Sequence, residues 1–316
     1  MLEFTPIKPL ETAVLFLTFN RLNTTKLVFA EIRKARPSRL YIASDGPRIN
    51  KSTEKDTINA IRNYILEHID WDCEIKTLFR DKNLGCKYAV SQAITWFFEH
   101  EEQGIILEDD CLPSQSFFWY CEELLNKYKD NNTINMISGN NFQDQQLRGD
   151  ASYYFSYFPH IWGWASWARA WKLYEVEFVT NNIQSNQLYP QFILQNSKYT
   201  AFWNDIYRLM NITNTWDYQL AFTIFKNKML CINPNVNLIS NIGFGPDATH
   251  TKSIKDINSS LPRGQISHII HPQRIEVDLA ADAYSSDKLF SYIKPSFLAR
   301  LKHKIKRLLY PFMRNL

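Results

Sequence analysis

The chain has 316 residues, 45% hydrophobic and 22% charged, enough to bury a full α/β core and ordinary for a folded domain. Its formal charge of +4 is unevenly spread: from Lys288 onward there are eight Lys or Arg and no acid, leaving 28 basic against 32 acidic residues elsewhere. A mildly acidic body argues against nucleic acid as partner, and only nine glycines argue against glycine-rich phosphate loops.

No apolar run approaches the roughly 18 residues of a membrane span, and the N-terminus lacks the profile of a signal peptide. Five cysteines, odd in number and without Cys-x-x-Cys spacing, suit a reducing compartment and offer no zinc site. A cytoplasmic setting is therefore expected.

Residues 13–19 (Ala-Val-Leu-Phe-Leu-Thr-Phe) predict a buried strand closed by Thr18, Asn20 and Arg21. A helix with Leu27, Val28, Ile32 and Ala35 on one face follows. Residues 39–44 predict a second strand, ending in the turn Asp45-Gly46-Pro47. Ile58, Ile61, Ile65 and Ile69 predict a helix over 53–69, and residues 73–79 a third strand running into Arg80 and Asn83. After a helix over about 87–102 comes Gly-Ile-Ile-Leu-Glu-Asp-Asp-Cys, residues 104–111. Its apolar half suits a fourth strand buried on both faces. Glu108, Asp109 and Asp110 then fall at the carboxyl end of that strand, the edge where open α/β sheets bind ligands. Three adjacent carboxylates repel one another and call for a compensating cation or base, unless they form a solvated loop. A helix over 116–128 and a fifth strand over 134–138 complete the alternation, which predicts a mostly parallel sheet flanked by helices.

Beyond residue 140 the pattern changes. Residues 153–171 are dense in aromatics, either a core segment or a carbohydrate-binding wall in which His160, Trp162 and Trp164 meet an acceptor. Helices are expected over 197–210 and 216–227, with Asp217 in the first turn of the second, and short strands over 229–234 and 237–240. On its own Asp217 is equally a helix-start acid favoured by the dipole. Residues 241–251 hold Phe244 between two glycines and a proline, a loop able to fold over a ligand, and end near His250. In 295–316 a basic face opposes an apolar one, which predicts a helix lying on an anionic membrane surface or docked on the body.

The order of these motifs resembles the GT-A glycosyltransferases, especially the inverting N-acetylglucosaminyltransferase that begins hybrid and complex N-glycans and its bacterial relatives. The likeness runs over about 13–251. It implies a GT-A fold: residues 1–140 as the nucleotide-sugar half, 141–287 as the acceptor and catalytic half, and 288–316 as a basic tail. By resemblance, Thr18, Asn20 and Arg21 lie near the donor phosphates, Asp45 reads a uracil, and Glu108 and Asp109 face the donor sugar and ribose. Asp110 holds Mn²⁺ or Mg²⁺, Trp216 and Phe244 contact the donor, and Asp217 is the catalytic base. Residues 158–164 look like the family's Phe-Pro-x-x-Gly-Trp stretch with one residue added. Tyr218 stands where the family has a second acid, and Ser91 near a donor-contacting His, which leaves the donor sugar open.

The expected activity is metal-dependent, inverting transfer from a UDP-sugar to a glycan or lipid-linked acceptor in bacterial surface polysaccharide assembly, on the inner face of the plasma membrane. Two alternatives stand beside it: a non-catalytic sugar-nucleotide or glycan-binding protein recruited to membranes, and a sugar-nucleotide pyrophosphorylase. The second would want glycine where Asn20-Arg21-Leu22-Asn23 stands.

Overall fold

The computed structural model describes residues 4–6, 8–51, 53–178, 188–244, 259 and 261–290. The alternating half forms as its periodicity dictates. Strand β1 (Val14–Thr18) is buried at every position, and helix α1 (Leu22–Ala35) buries Thr25, Val28, Phe29, Ile32 and Ala35 as one stripe. Strand β2 (Arg39–Ser44), helix α2 (Glu54–Glu67), strand β3 (Glu74–Phe79) and helix α3 (Gly85–Phe98) follow. Strand β4 (Gln103–Glu108) ends on the first of the three acids; helix α4 (Gln115–Lys127) and strand β6 (Ile134–Ser138) lie beyond it.

The aromatic stretch supplies two further strands, β7 (Tyr153–Ser156) and β8 (Trp164–Trp167), and a short helix α5 (Ala168–Trp171). Both strands are buried on both faces, so no alternation marked them beforehand. Helices α6 (Gln191–Leu194), α7 (Ser197–Leu209) and α8 (Asp217–Lys226), strand β9 (Leu230–Pro234) and helix α9 (Leu279–Leu289) complete the body.

The main sheet has the order β3-β2-β1-β4-β8-β6-β9-β7. Strands β1, β2, β3 and β4 run parallel; β8 enters antiparallel between β4 and β6, and β7 closes the far edge antiparallel to β9. One sheet thus spans both halves of the sequence. A small antiparallel pair lies apart, β5 (Cys111–Pro113) with β10 (Ile239–Asn241). It joins the end of the acid triplet to the segment before the Phe244 loop. One core face packs α1, α2 and α4; the other packs α3, α7 and α8 around Trp164, Trp203 and Trp216. No helix among the described residues is long and apolar enough to cross a membrane.

Candidate active site

The carboxyl ends of β1, β2 and β4 open into a cleft of about 180 Å³ lined by Thr18, Arg21, Asp45, Arg80, Asn83, Cys86, Glu108, Asp109, Asp110 and Asn214, among others. In-register parallel pairing brings them together: Leu17 lies beside Glu108 and Thr18 beside Ser44, so the residues that follow each strand emerge at one level. A larger cavity of about 860 Å³ lies at the opposite edge, near Glu11, Arg39 and Glu102, far from these carboxylates.

At the centre of the cleft, Arg21 Nη1 donates to Asp110 Oδ2 at 2.5 Å. Burial alone would lower the Arg21 guanidinium, but the charges of Asp109, Asp110 and Glu108 more than reverse this and hold it protonated. Glu108 and Asp109 are pushed up, first by burial and then by the neighbouring carboxylates, with Arg21 opposing. Three acids share one guanidinium, so a proton or a bound cation must balance the rest. Asp109 also accepts the Phe19 N–H at 3.0 Å, tying the ends of β1 and β4 together.

Asp45 is buried and heavily engaged. Its carboxylate accepts the N–H groups of Gly46, Leu84 and Gly85 and the Asn83 amide, at 2.8–3.2 Å. It thereby caps the start of α3. Burial raises its pKa while those backbone N–H groups oppose the rise. Asn20 reaches Glu54 at 3.0 Å, and Thr18 Oγ1 donates to the Ala43 carbonyl at 3.4 Å.

The second half contributes from two directions. Asp217 opens α8, close enough for its charge to raise the Glu108 carboxyl and the Cys86 thiol, both of which line the cleft. Thr215 Oγ1 donates to Asp217 Oδ1. From β10, the Ile242 N–H donates to the Asp110 carbonyl at 2.9 Å, and Gly243 lies against the Arg21–Asp110 pair. A Cβ at Gly243 would stand 2.0 Å from Asp110 Oδ2 and 2.5 Å from Arg21 Nη1. Any side chain there must push the Arg21–Asp110 pair aside, a constraint invisible in the sequence until β10 is seen paired with β5.

The aromatic expectation divides. Trp162 and Phe244 are partly exposed and meet edge to face at 5.7 Å, and Phe142 also meets Trp162 edge to face, at 5.0 Å. Trp164, 1% exposed, is not a wall residue: it stacks on Trp216, itself 2% exposed. Strand β8 is central and covered on both faces, so its side chains have nowhere to go but the core. His160 is also buried, its ring against Phe142, and burial lowers its pKa to about 3. Trp216 packs between Trp164 and Trp171, and its carbonyl accepts from the Tyr174 hydroxyl at 3.1 Å, so its side chain anchors the segment before Asp217 and does not line the cleft. Gly245 and His250 lie outside the described residues, as does the tail from 291 to 316.

No family model and no curated protein matches the sequence. Among solved structures, the chain is similar to GalNAc-T7 with UDP, GalNAc and Mn²⁺, at 12% identity and TM-score 0.44, over 72% of this chain and 43% of that one. It is similar to the mannosyltransferase PcManGT from Pyrobaculum calidifontis in complex with GDP-Man and Mn²⁺, at 14% identity and TM-score 0.36, over 52% and 46%. It is also similar to an apo UDP-glucose pyrophosphorylase, at 9% identity and TM-score 0.33, over 72% and 93%. The chain spans less than half the length of both transferases.

Proposed function

We propose that this chain is a metal-dependent glycosyltransferase that moves a sugar, with inversion, from a UDP-sugar to a glycan or lipid-linked acceptor hydroxyl. The observation that carries the reading is the cleft itself. It gathers Arg21, Asp45 and the acid triplet on one sheet edge, with Asp217 in electrostatic reach from a separate helix.

The residues present fit a hard divalent cation. Carboxylate oxygens in excess of the one guanidinium suit Mn²⁺ or Mg²⁺, held by Asp110 with the donor diphosphate completing the shell. Among the described residues no group of three His, Cys, Asp or Glu side chains is arranged to hold a metal alone, so the substrate's own oxygens are needed. A bound cation would offset the negative charge that builds on the departing diphosphate. Arg21 supplies the same service from the protein, provided it exchanges some of its contact with Asp110 for a phosphate oxygen. The turn held by Asp45 borders the nucleoside end of the cleft. Asp217 accepts the proton of the attacking hydroxyl; Thr215 occupies one of its oxygens and leaves the other for the acceptor. Trp162, a partly exposed aromatic face, receives the acceptor, and Phe244 beside it contacts the donor.

For the tail, eight bases without an acid support attachment to an anionic membrane, with the enzyme at the inner face of a bacterial plasma membrane and its acceptor drawn from surface polysaccharide assembly. The test is turnover: a panel of sugar nucleotides incubated with Mn²⁺ should include one that is slowly hydrolysed to UDP. Tight binding with no turnover across the panel would favour a non-catalytic sugar-nucleotide-binding protein. Release of pyrophosphate from a nucleoside triphosphate and a sugar phosphate would favour a pyrophosphorylase.

A further inference from the structure

Helix α3 begins at the cleft, and its exposed N–H groups are claimed from both halves of the chain. Asp45, after β2, takes those of Leu84 and Gly85. Asn214, three residues before Asp217, takes a third: the Lys87 N–H donates to Asn214 Oδ1 at 3.0 Å. Gly85 has φ +77, and a Cβ there would stand 2.9 Å from both Asn214 Nδ2 and Oδ1, so the helix start lies flush against this amide. Asn214 Nδ2 makes no hydrogen bond among the described residues, and Asn214 lines the cleft.

The segment from Asn214 to Asp217 is therefore pinned at each step. Asn214 caps α3, Thr215 holds Asp217, and Trp216 is sunk between Trp164 and Trp171. Trp216 fixes the segment to the core of the second half. Among the described residues, the hydrogen bond of this segment that reaches the start of α3 is that of Asn214, and that start borders the donor cleft and is held by Asp45.

We propose that Asn214 is a positioning residue: its Oδ1, by capping α3 at Lys87, sets where Asp217 stands relative to the donor cleft. This rests on the transfer reading for its catalytic consequence but not for its mechanical one. A carboxylate at the same position keeps the acceptor oxygen and loses the Nδ2 donor, whereas alanine loses both.

Asn214→Ala and Asn214→Asp separate the possibilities in the full chain. Amide hydrogen exchange is read at Lys87 and over residues 213–218, and kcat at saturating donor is read with UDP affinity. The expected result for Asn214→Ala is exchange faster by about tenfold, with kcat down by about 10²-fold, the scale of a small misplacement of a catalytic group. UDP binding should stay near the wild-type value. Asn214→Asp should restore both protection and most of kcat. Unchanged exchange in Asn214→Ala overturns the proposal, as does a kcat as low in Asn214→Asp as in Asn214→Ala, which would make Nδ2 a substrate contact. Should the wild-type chain turn over no sugar nucleotide, the transfer reading fails, and the exchange measurement still decides whether Asn214 holds the segment.

Discussion

Asp217 and Gly243 are the two residues whose replacement best separates chemistry from architecture. Asp217 has one oxygen held by Thr215, and from a separate helix its charge acts on Glu108 in the cleft. Asp217→Asn keeps the shape and loses the basic oxygen, so transfer should fall by about 10²–10⁴-fold while UDP binding survives. Full transfer by that variant would remove Asp217 from the mechanism. Gly243→Ala tests the other side. The added methyl, aimed 2.0 Å from Asp110 Oδ2, must displace either β10 or the Arg21–Asp110 pair. Metal-dependent donor turnover should drop by about 10²-fold with little change in melting temperature, since Gly243 is partly exposed and its added methyl meets charged side chains rather than the hydrophobic core. Wild-type turnover in Gly243→Ala would mean that the pair is not needed in this geometry. Asp110 was recognisable as a candidate because three acids gathered at the end of a buried strand have few structural reasons to be there; Asp217, at a helix start that the dipole alone would favour, was singled out only by the resemblance. Gly243 and Asn214 carried no such signal: glycine and asparagine are common in any loop, and their meaning comes from what lies 2–3 Å away.

At the scale of elements, α9 is held to β7 by a buried acid. Asp282, 1% exposed, accepts from Ser156 Oγ at 2.5 Å and from the Tyr157 N–H at 3.0 Å. Burial outweighs these bonds and raises its pKa to about 7. The folded chain therefore holds this proton more tightly than the unfolded one, whose Asp titrates near about 3.9. Its contribution to stability falls as pH rises from about 4 to about 7 and is level above that. Asp282→Asn should flatten this dependence: urea unfolding at about pH 5 and about pH 8 should differ less in the variant than in the wild type. Equal slopes would show that Asp282 is not the group responsible. The elements themselves were unequally legible. Strands β1, β2 and β6 and helices α1, α2 and α4 follow runs and stripes that burial dictates. Strands β7 and β8 did not stand out, because each is only four residues long and lies in an aromatic stretch that would equally serve a sugar-binding wall. Trp164 illustrates the ambiguity: its indole is core because β8 sits between β4 and β6.

For the whole molecule, charge is partitioned between a body with 28 basic and 32 acidic residues and a tail with eight bases and no acid. If the tail is an interfacial anchor, the full chain should sediment with vesicles containing anionic lipid and be released by salt on the Debye scale, about 10 Å at 0.1 M. Removing residues 295–316 should abolish sedimentation and leave turnover of a soluble donor intact. Binding that survives the truncation would place the contact on the body instead.

By itself the sequence determined the α/β alternation, the sheet edge on which polar residues collect, the acid triplet at the end of β4 and the basic tail. These are local properties: periodicity, strand burial and charge are written in neighbouring residues. Only the tertiary structure decided that β8 runs antiparallel through the sheet, that β10 pairs with β5 to seat Gly243 on Asp110, and that Asn214 reaches α3. The contacts of Gly243 and Asn214 join residues more than a hundred positions apart, and those of β8 cross between separate elements. Pairing across such distances depends on which surfaces remain uncovered once the core has closed.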